Sequence, residues 1–193
     1  MYGAPCAYGW LPRNLGPQPA FYGVPVGRHY PTRHVEFAFV LESLDAEERG
    51  TVCDVATGFN PDVHVLSLIL ARAGFTVRAS DLNPETLDLY PHERITRVVE
   101  GMEHIEMPDE SVDAVTCIST FEHVANDVRL NFLAEARRVL KPRGMLLITA
   151  DWMIPEILAE QGQVHGFDIG WPTPFHGERL DPNISFLRAR RLP

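Results

Sequence analysis

The sequence contains little cysteine and no long apolar run. Its three cysteines form no CxxC pair, and its histidines show no HxxxH or HxH spacing. Those are spacings at which neighbouring side chains share a metal ion, so we predict no metal site. No apolar stretch approaches the ~20 residues that cross a bilayer, and no basic, apolar leader opens the chain. We therefore expect a cytoplasmic protein that does not bind membranes.

Positive charge is also scarce. The chain carries 17 Lys and Arg residues against 26 Asp and Glu residues, which gives a net charge of -9. A polyanion such as DNA or RNA binds best to a protein with a concentrated positive face. We therefore predict that nucleic acid is not a partner.

The length of the chain predicts a single domain. Its 193 residues, 45% of them hydrophobic, are enough for one core and too few for two full domains. Residues 1–49 consist of an irregular arm, rich in proline and aromatic residues, and a predicted helix from Thr32 to about Leu44. Residues 50–151 form the expected core, and residues 152–193 form a tail on the substrate side. No feature of the sequence indicates an oligomeric state.

The most informative segment, residues 51–83, reads as strand, loop, helix and second strand. An apolar run ends in a turn at Gly58, and apolar residues then recur at helical spacing from Val63 to Ala73. Gly74 supplies the left-handed residue that ends such a helix. Asp81 closes the next strand, where an acidic side chain of a βαβ unit accepts hydrogen bonds from both ribose hydroxyls of a nucleotide. The segment therefore predicts a nucleoside cofactor.

Strands and helices continue to alternate up to residue 150. This order predicts an α/β fold, a doubly wound and mostly parallel sheet with helices on both faces, whose ligands bind at the carboxyl ends of the strands. The further predicted elements are a short helix at Asn83–Leu89, strands at Ile95–Val99, Val112–Ser119 and Met145–Ala150, a helix at Val124–Leu140, a helix near Pro155–Gln161 and a strand at Ile184–Arg188.

Four blocks stand at the ends of these strands: VCDVATGFNP, ASDLNP, EGMEHIEMPDESVDAVTCISTFEHV and RRVLKPRGMLLIT. Together they resemble the class I S-adenosylmethionine-dependent methyltransferases, above all the small-molecule enzymes that consist of a bare catalytic domain. The resemblance covers roughly residues 50–151. It implies a Rossmann-like fold with S-adenosylmethionine as the cofactor.

The resemblance also implies which residues surround the cofactor. Asp54 and the backbone of Ala56, Thr57 and Gly58 would face its methionine portion, Asp81 would hold the ribose, Leu82 and Met102 would sandwich the adenine, Glu103 would lie near the adenine amino group, and Ser119 would lie beside the sulfonium. Plainer interpretations stay open. The two aspartates would serve equally well to end strands and cap loops, and a lone methionine is more often core.

The first loop departs from the family pattern D-x-G-x-G-x-G. Ala56 and Asn60 stand at the first and third glycine positions. Alanine is small, and asparagine tolerates the left-handed conformation and caps helices, so we expect binding to survive. Relatives often carry an aspartate before the residue that corresponds to Met102. Here that position is Gly101, so the polar contact to adenine is expected from the backbone or from Glu103.

Glu122 and His123 form the Glu-His pair common in this group. They are the candidate catalytic residues, which would orient the acceptor or take a proton from it. A structural interpretation competes, because a glutamate at a helix start favours the helix dipole and a neighbouring histidine is often only a boundary residue.

We predict transfer of a methyl group to an oxygen or nitrogen atom of a small molecule. One alternative is an inactive subunit that binds S-adenosylmethionine, which is favoured by the altered first loop and by a tail shorter than the segment that usually adds two closing strands. A nicotinamide-dependent oxidoreductase is the other alternative. It should contain G-x-G-x-x-G, whereas this chain reads GFNPDV.

Overall fold

The computed structural model of the chain describes residues 20–25, 32–45, 49–58, 65–87, 91–151, 166–170 and 184–193. Within these residues the strands are, in chain order, β1 (Ala20–Phe21), β2 (Val24–Pro25), β3 (Thr51–Val55), β4 (Thr76–Asp81), β5 (Ile95–Val99), β6 (Val112–Ile118), β7 (Leu140–Asp151), β8 (Phe167–Gly170) and β9 (Ile184–Arg191). The helices are α1 (Thr32–Asp45), α2 (Leu66–Arg72), α3 (Pro84–Leu87) and α4 (Asn126–Val139), with a 3-10 helix at Phe121–His123.

The described strands β3 to β9 form one sheet in the order β5-β4-β3-β6-β7-β9-β8. The first five strands in this order are parallel, whereas β9 pairs antiparallel with β7 and with β8. The chain leaves β3 towards β4 on one side and later returns to β6 on the other side, so the winding reverses at β3. Ligands of doubly wound sheets bind beside the carboxyl ends of the strands at such a reversal. The predicted Rossmann-like α/β fold is confirmed.

Both faces of the sheet are covered because successive side chains of a strand point to opposite faces. Val52 belongs to one apolar cluster with Phe37 of α1 and Ile69 of α2. Its neighbour Cys53 belongs to a second cluster with Phe132 of α4. A parallel sheet buried on both faces needs nearly continuous apolar strands, which is what the sequence of β6, VDAVTCI, provides.

Local signals explain where the elements next to β4 begin and end. Gly74 follows α2 with φ +102°, a conformation that residues with a side chain rarely adopt, so its predicted role as a helix stop is confirmed. Asn83 caps α3, because its Oδ1 accepts a hydrogen bond from the backbone N–H of Glu85 at 3.0 Å. Together these residues end the helix before β4 and begin the helix after it, and so they delimit the strand that carries Asp81.

The tail differs most from expectation. It supplies both β8 and β9, which complete the sheet beyond β7. Residues 152–193, which are short for this role, nevertheless supply two closing strands, since β8 needs only four residues. β8 itself was not predicted. The helix predicted at Pro155–Gln161 lies outside the described residues.

Two smaller differences concern the arm and the longest helix. Ala20–Phe21 and Val24–Pro25 of the arm pair as a short hairpin rather than remaining irregular. The helix predicted from Val124 begins at Asn126, because Val124 is extended, with ψ 158°. No helix among the described residues is both long enough and apolar enough to cross a membrane.

Candidate functional site

Asp81 lies at the carboxyl end of β4, next to the strand at which the winding reverses. Its Oδ2 accepts a hydrogen bond from the backbone N–H of Gly58 at 2.9 Å, and its Oδ1 accepts one from the N–H of Asn83 at 2.9 Å. An ionised carboxylate has about four acceptor sites, so each oxygen keeps a lone pair for a further donor. The geometry suits the two hydroxyls of a ribose. That role for Asp81 stays a prediction.

The loop after β3 is attached to the end of β4. The N–H of Thr57 donates to the carbonyl of Ser80 at 3.0 Å, beside the bond from Gly58 to Asp81. Ala56 has φ +54°, a conformation that costs an alanine about 1 to 2 kcal/mol and a glycine almost nothing. The family's glycine at this position therefore has a conformational reason, and this chain keeps the shape of the loop with an alanine. Asn60 lies outside the described residues.

Asp54 is buried, and both of its oxygens have protein partners. Oδ2 accepts a hydrogen bond from the Ser67 hydroxyl at 2.5 Å, and Oδ1 accepts one from the Thr116 hydroxyl at 2.7 Å. Burial raises the pKa of Asp54 to about 6, although the two hydroxyl bonds oppose that rise. The carboxylate thus joins α2 to β6. Its predicted contact with the methionine portion of the cofactor stays a prediction.

Exposed apolar side chains lie at the carboxyl ends of β4 and β5. Leu82 is 74% exposed and Val99 is 57% exposed. Met102, by contrast, is 5% exposed and belongs to the same core cluster as Ile105 and Phe132. Of the two residues predicted to sandwich the adenine, Leu82 is open to contact, whereas Met102 is part of the core. The sequence interpretation missed Val99, although its place at the end of a strand was visible.

Glu103 is exposed, and its carboxylate lies over Gly101. A Cβ added to Gly101 would lie 2.5 Å from Oε2 of Glu103. The carboxylate thus occupies the space that a larger side chain at position 101 would need. Glu103 therefore brings a negative group close to the place where relatives often carry an aspartate.

A buried charged cluster lies at the carboxyl ends of β6 and β7. Glu36 of α1 is fully buried, and its Oε1 accepts hydrogen bonds from the hydroxyls of Ser119 at 2.5 Å and Thr149 at 2.6 Å. Arg33 donates from Nη1 to Glu36 and to Ser119 Oγ. Ser119 itself adopts φ +45°. Sequence interpretation missed this cluster; the available signal was the single charged residue Glu36 within the apolar stretch from Val35 to Leu41, three residues after Arg33.

The 3-10 helix exposes His123 and largely buries Glu122. Their side chains are 71% and 8% exposed, and His123 Nε2 lies 3.9 Å from Glu122 Oε1. Arg129 of α4 fixes this turn by donating to the carbonyls of Phe121 and Glu122, each at 2.8 Å. The imidazole is thus the accessible proton acceptor of the pair. A catalytic role for either residue stays a prediction.

A cavity of about 490 Å³ lies at the opposite edge of the sheet, near the amino ends of β3 and β6. Asp113 in its wall accepts hydrogen bonds from the Thr51 N–H at 2.8 Å and from Lys141 Nζ at 2.7 Å. Cofactors of doubly wound sheets bind at the carboxyl edge instead. We therefore assign the site to the edge with Asp81, and Asp113 provides a comparison residue with similar bonding.

Solved structures share this architecture. The chain is similar to 1,6-didemethyltoxoflavin-N1-methyltransferase from Burkholderia thailandensis, which was solved with 1,6-didemethyltoxoflavin and S-adenosylhomocysteine bound. The TM-score is 0.65 at 19% identity, over 84% of this chain and 79% of that one. It is also similar to a SAM dependent methyltransferase from Aquifex aeolicus, with TM-score 0.64 at 20% identity, over 81% of this chain and 90% of that one. At these identities the likeness establishes the fold.

Sequence similarity identifies a methyltransferase domain within this chain. Residues 62–148 match the family described as methyltransferase domain. This match, which covers slightly less than half of the chain, and the shared fold support a class I S-adenosylmethionine-dependent methyltransferase. The match and the shared fold support S-adenosylmethionine as the cofactor, and the nicotinamide alternative is set aside.

A match to a methyltransferase domain does not by itself determine the reaction. The chain is also similar to SpnF, a [4+2]-cyclase, with TM-score 0.70 at 16% identity, over 86% of this chain and 83% of that one. No curated protein matches the chain. The reaction must therefore be argued from the site.

Proposed function

We propose that this protein transfers the methyl group of S-adenosylmethionine to an oxygen or nitrogen atom of a small-molecule acceptor. The observation that supports it most is the carboxylate of Asp81, which two backbone N–H groups hold at the carboxyl edge with room for two more donors. Leu82 and Glu103 add an apolar surface and a carboxylate close by, which suit the face and the amino group of an adenine.

The cofactor supplies a methyl group on a positively charged sulfur, so the protein chiefly aligns the acceptor and excludes water. In this scheme Asp81 holds the ribose and the N–H groups of the first loop lie along the methionine portion. Ser119, held by Glu36 and Arg33, lies beside the reacting atoms. An acceptor hydroxyl or amine would give its proton to His123, and the carboxylate of Glu122, 3.9 Å away, would stabilise the positive charge that results.

A small acceptor agrees with the charge of the chain. The net charge of -9 gives little attraction for a polyanion. One solved protein of similar fold was crystallised with the small heterocycle 1,6-didemethyltoxoflavin. Both observations favour a small molecule over a nucleic acid as the acceptor.

The inactive-subunit alternative loses its two supports. Its first support was the altered loop, yet Thr57 and Gly58 still bind the end of β4 and Ala56 adopts the left-handed conformation. Its second support was the short tail, which nevertheless supplies the two closing strands. Both observations favour a working enzyme.

The first test is calorimetric titration of the protein with S-adenosylmethionine and S-adenosylhomocysteine. Asp81→Asn should lower the affinity for both ligands roughly 100-fold, because it weakens the two proposed hydrogen bonds from the ribose hydroxyls to a charged carboxylate. Asp113→Asn is the matched control. That carboxylate also accepts a backbone N–H, but at the opposite edge, so its loss should leave affinity unchanged.

Turnover is tested next by incubating the protein and S-adenosylmethionine with fractionated small metabolites. The proposal expects S-adenosylhomocysteine together with a product heavier than its precursor by one methylene unit. Tight binding without any methylated product would support the inactive subunit instead. Equal affinity in Asp81→Asn and wild-type protein would disprove the assignment of the ribose site.

A further inference from the structure

The loop between β5 and β6 is held from the sheet side by a buried ion pair. Arg78 of β4 donates to both carboxylate oxygens of Glu100, with Nη2 to Oε2 at 2.7 Å. The side chains are only 7% and 8% exposed. Oε2 of Glu100 also accepts the backbone N–H of Glu106 at 3.0 Å. One buried carboxylate thus fastens both the beginning of the loop and its middle.

The same loop is held from the helix side by Arg138 of α4. Its Nη2 donates to the carbonyl of Ile105 at 2.7 Å, and its Nη1 donates to the carbonyl of Met107 at 2.8 Å. Glu135 pairs with Arg138 at 2.8 Å and accepts the N–H of Ile105 at 2.9 Å. The hydrogen bonds from Arg138 lower the pKa of Glu135, so its carboxylate is ionised over the working range of pH. Asp109 binds the same guanidinium at 2.8 Å.

Residues 101–104 lie between these two attachments. Within them, the N–H of His104 donates to the carbonyl of Gly101 at 3.2 Å. This short turn carries Met102 and Glu103, the residues predicted to contact the adenine. A segment fixed at both ends has little freedom left to lose when a ligand binds, and such preorganisation raises affinity.

We propose that Arg138 and Glu135 are positioning residues for the nucleoside half of the cofactor, which hold residues 101–104 in the binding arrangement. This inference rests on the proposed function, because it takes the adenine to lie against that turn. Neither residue needs to touch the cofactor. Arg138 acts through the carbonyls of Ile105 and Met107, and Glu135 acts through the N–H of Ile105.

A purely structural role for the pair would look different. α4 is attached to the sheet by an apolar face that includes Phe132, Leu133 and Ala136, all fully buried. The side chains of Arg138 and Glu135 are 32% and 19% exposed. Removing their bonds should therefore loosen the loop and leave the attachment of the helix intact.

The experiment compares Arg138→Gln, Arg138→Lys and Glu135→Gln with wild type. The probes are S-adenosylhomocysteine and 5′-methylthioadenosine, which keeps the adenine and ribose but lacks the amino acid. Both arginine variants should lower the affinity for the two probes by the same factor, about 10-fold. Neither glutamine nor lysine can donate to two carbonyls from two separate nitrogen atoms, as the guanidinium of arginine does. Glu135→Gln, which keeps an acceptor for the Ile105 N–H, should have a smaller effect. Lys141→Gln is the control, because it breaks an ion pair of 2.7 Å at the opposite edge and should change neither affinity.

Hydrogen exchange supplies a readout that a structural role would not produce. In Arg138→Gln without ligand, amides of residues 100–107 should exchange faster than in wild type, while those of α4 and β6 should not. Saturation with S-adenosylhomocysteine should restore the slow exchange.

Three results would each overturn the inference. They are unchanged affinity in both arginine variants, a loss for S-adenosylhomocysteine that 5′-methylthioadenosine does not share, and faster exchange spread over α4 and β6. Failure of the proposed function is recognised separately, because wild-type protein would then bind neither probe.

Discussion

The two halves of the carboxyl edge are built in different ways. At β3 and β4 the carboxylate of Asp81 is partly exposed and is held by backbone N–H groups, one of them 23 residues away. At β6 and β7 the carboxylate of Glu36 is fully buried and is held by side chains 83 and 113 residues away. The first half is formed by one local βαβ unit, whereas the second needs the whole fold.

This difference separates ligand binding from stability. A partly exposed carboxylate with free lone pairs has unused capacity to bind a ligand, and its loss costs the fold little. A buried carboxylate with all its donors inside the protein stabilises the fold only while its partners remain. Mutations in the two halves should therefore have different signatures, and these can be compared directly.

The largest effect is expected at Glu36. Glu36→Ala leaves the guanidinium of Arg33 buried without its carboxylate, which should lower the free energy of unfolding by about 3 to 5 kcal/mol. Urea denaturation measures this loss. The double variant Arg33→Met with Glu36→Leu removes both charges and should stay within about 1 kcal/mol of wild type. A Glu36→Ala protein as stable as wild type would contradict the view that the half at β6 and β7 stabilises the fold.

Substitution of Asp54 should increase the stability of the protein, whereas substitution of Glu36 should decrease it. Its pKa in the folded protein is about 6 against an ordinary value of 3.8, so the folded state holds the proton more tightly than the unfolded state. This tighter proton binding stabilises the folded state at low pH, and the stabilisation is lost as the pH rises from about 4 through 6. Asp54→Asn should therefore raise the free energy of unfolding by about 2 to 3 kcal/mol at pH 7.5.

The pH dependence provides the check for Asp54. Urea denaturation of both proteins should give a stability difference that is largest above pH 6 and closes towards pH 4. A difference that is the same at every pH would contradict the assignment to ionisation.

Leu82 provides the reverse case, a ligand effect without a stability effect. Its side chain is 74% exposed, so Leu82→Ala should change the free energy of unfolding by less than about 0.5 kcal/mol. If the adenine covers this side chain, affinity for S-adenosylhomocysteine should fall roughly 3-fold to 10-fold. Calorimetry on Leu82→Ala and on the exposed control Leu192→Ala separates the two effects. Equal affinities would place the adenine elsewhere.

The smallest effect is expected at Ala56. Ala56→Gly relieves the strain of φ +54° but gives the unfolded chain more freedom, so the net gain in stability should stay below about 1 kcal/mol. Affinity for the cofactor should be unchanged or slightly higher. Thermal unfolding and calorimetry measure both quantities. A clear loss of affinity would mean that the methyl group of Ala56 contacts the cofactor.

Sequence patterns predicted the local half well. The strand at Ile95–Val99 has the predicted bounds, and Gly74 and Asn83 end and begin helices where their chemistry requires it. The fold class followed from the alternation of strands and helices. These features depend on short-range rules of backbone conformation and apolar spacing, which a sequence displays directly.

The rest depends on partners that are distant in sequence. β8, with the sequence FDIG, contains an acidic residue and a glycine and becomes a strand only because β9 pairs with it. Glu36 reads as an ordinary residue near a helix start until Ser119 and Thr149 are placed beside it. No local rule connects such positions.

The position of β9 between β7 and β8 also constrains the order of events on the ribosome. Residues 167–170 are synthesised before residues 184–191, yet β9 lies between β8 and the rest of the sheet. Until β9 has been synthesised, β8 therefore has no strand to pair with, and one side of β7 stays unpaired. The parallel strands can assemble during synthesis. Closure of the antiparallel end is necessarily a late step, and a ribosome that stalls between the two segments would display an open sheet edge to other chains and to chaperones.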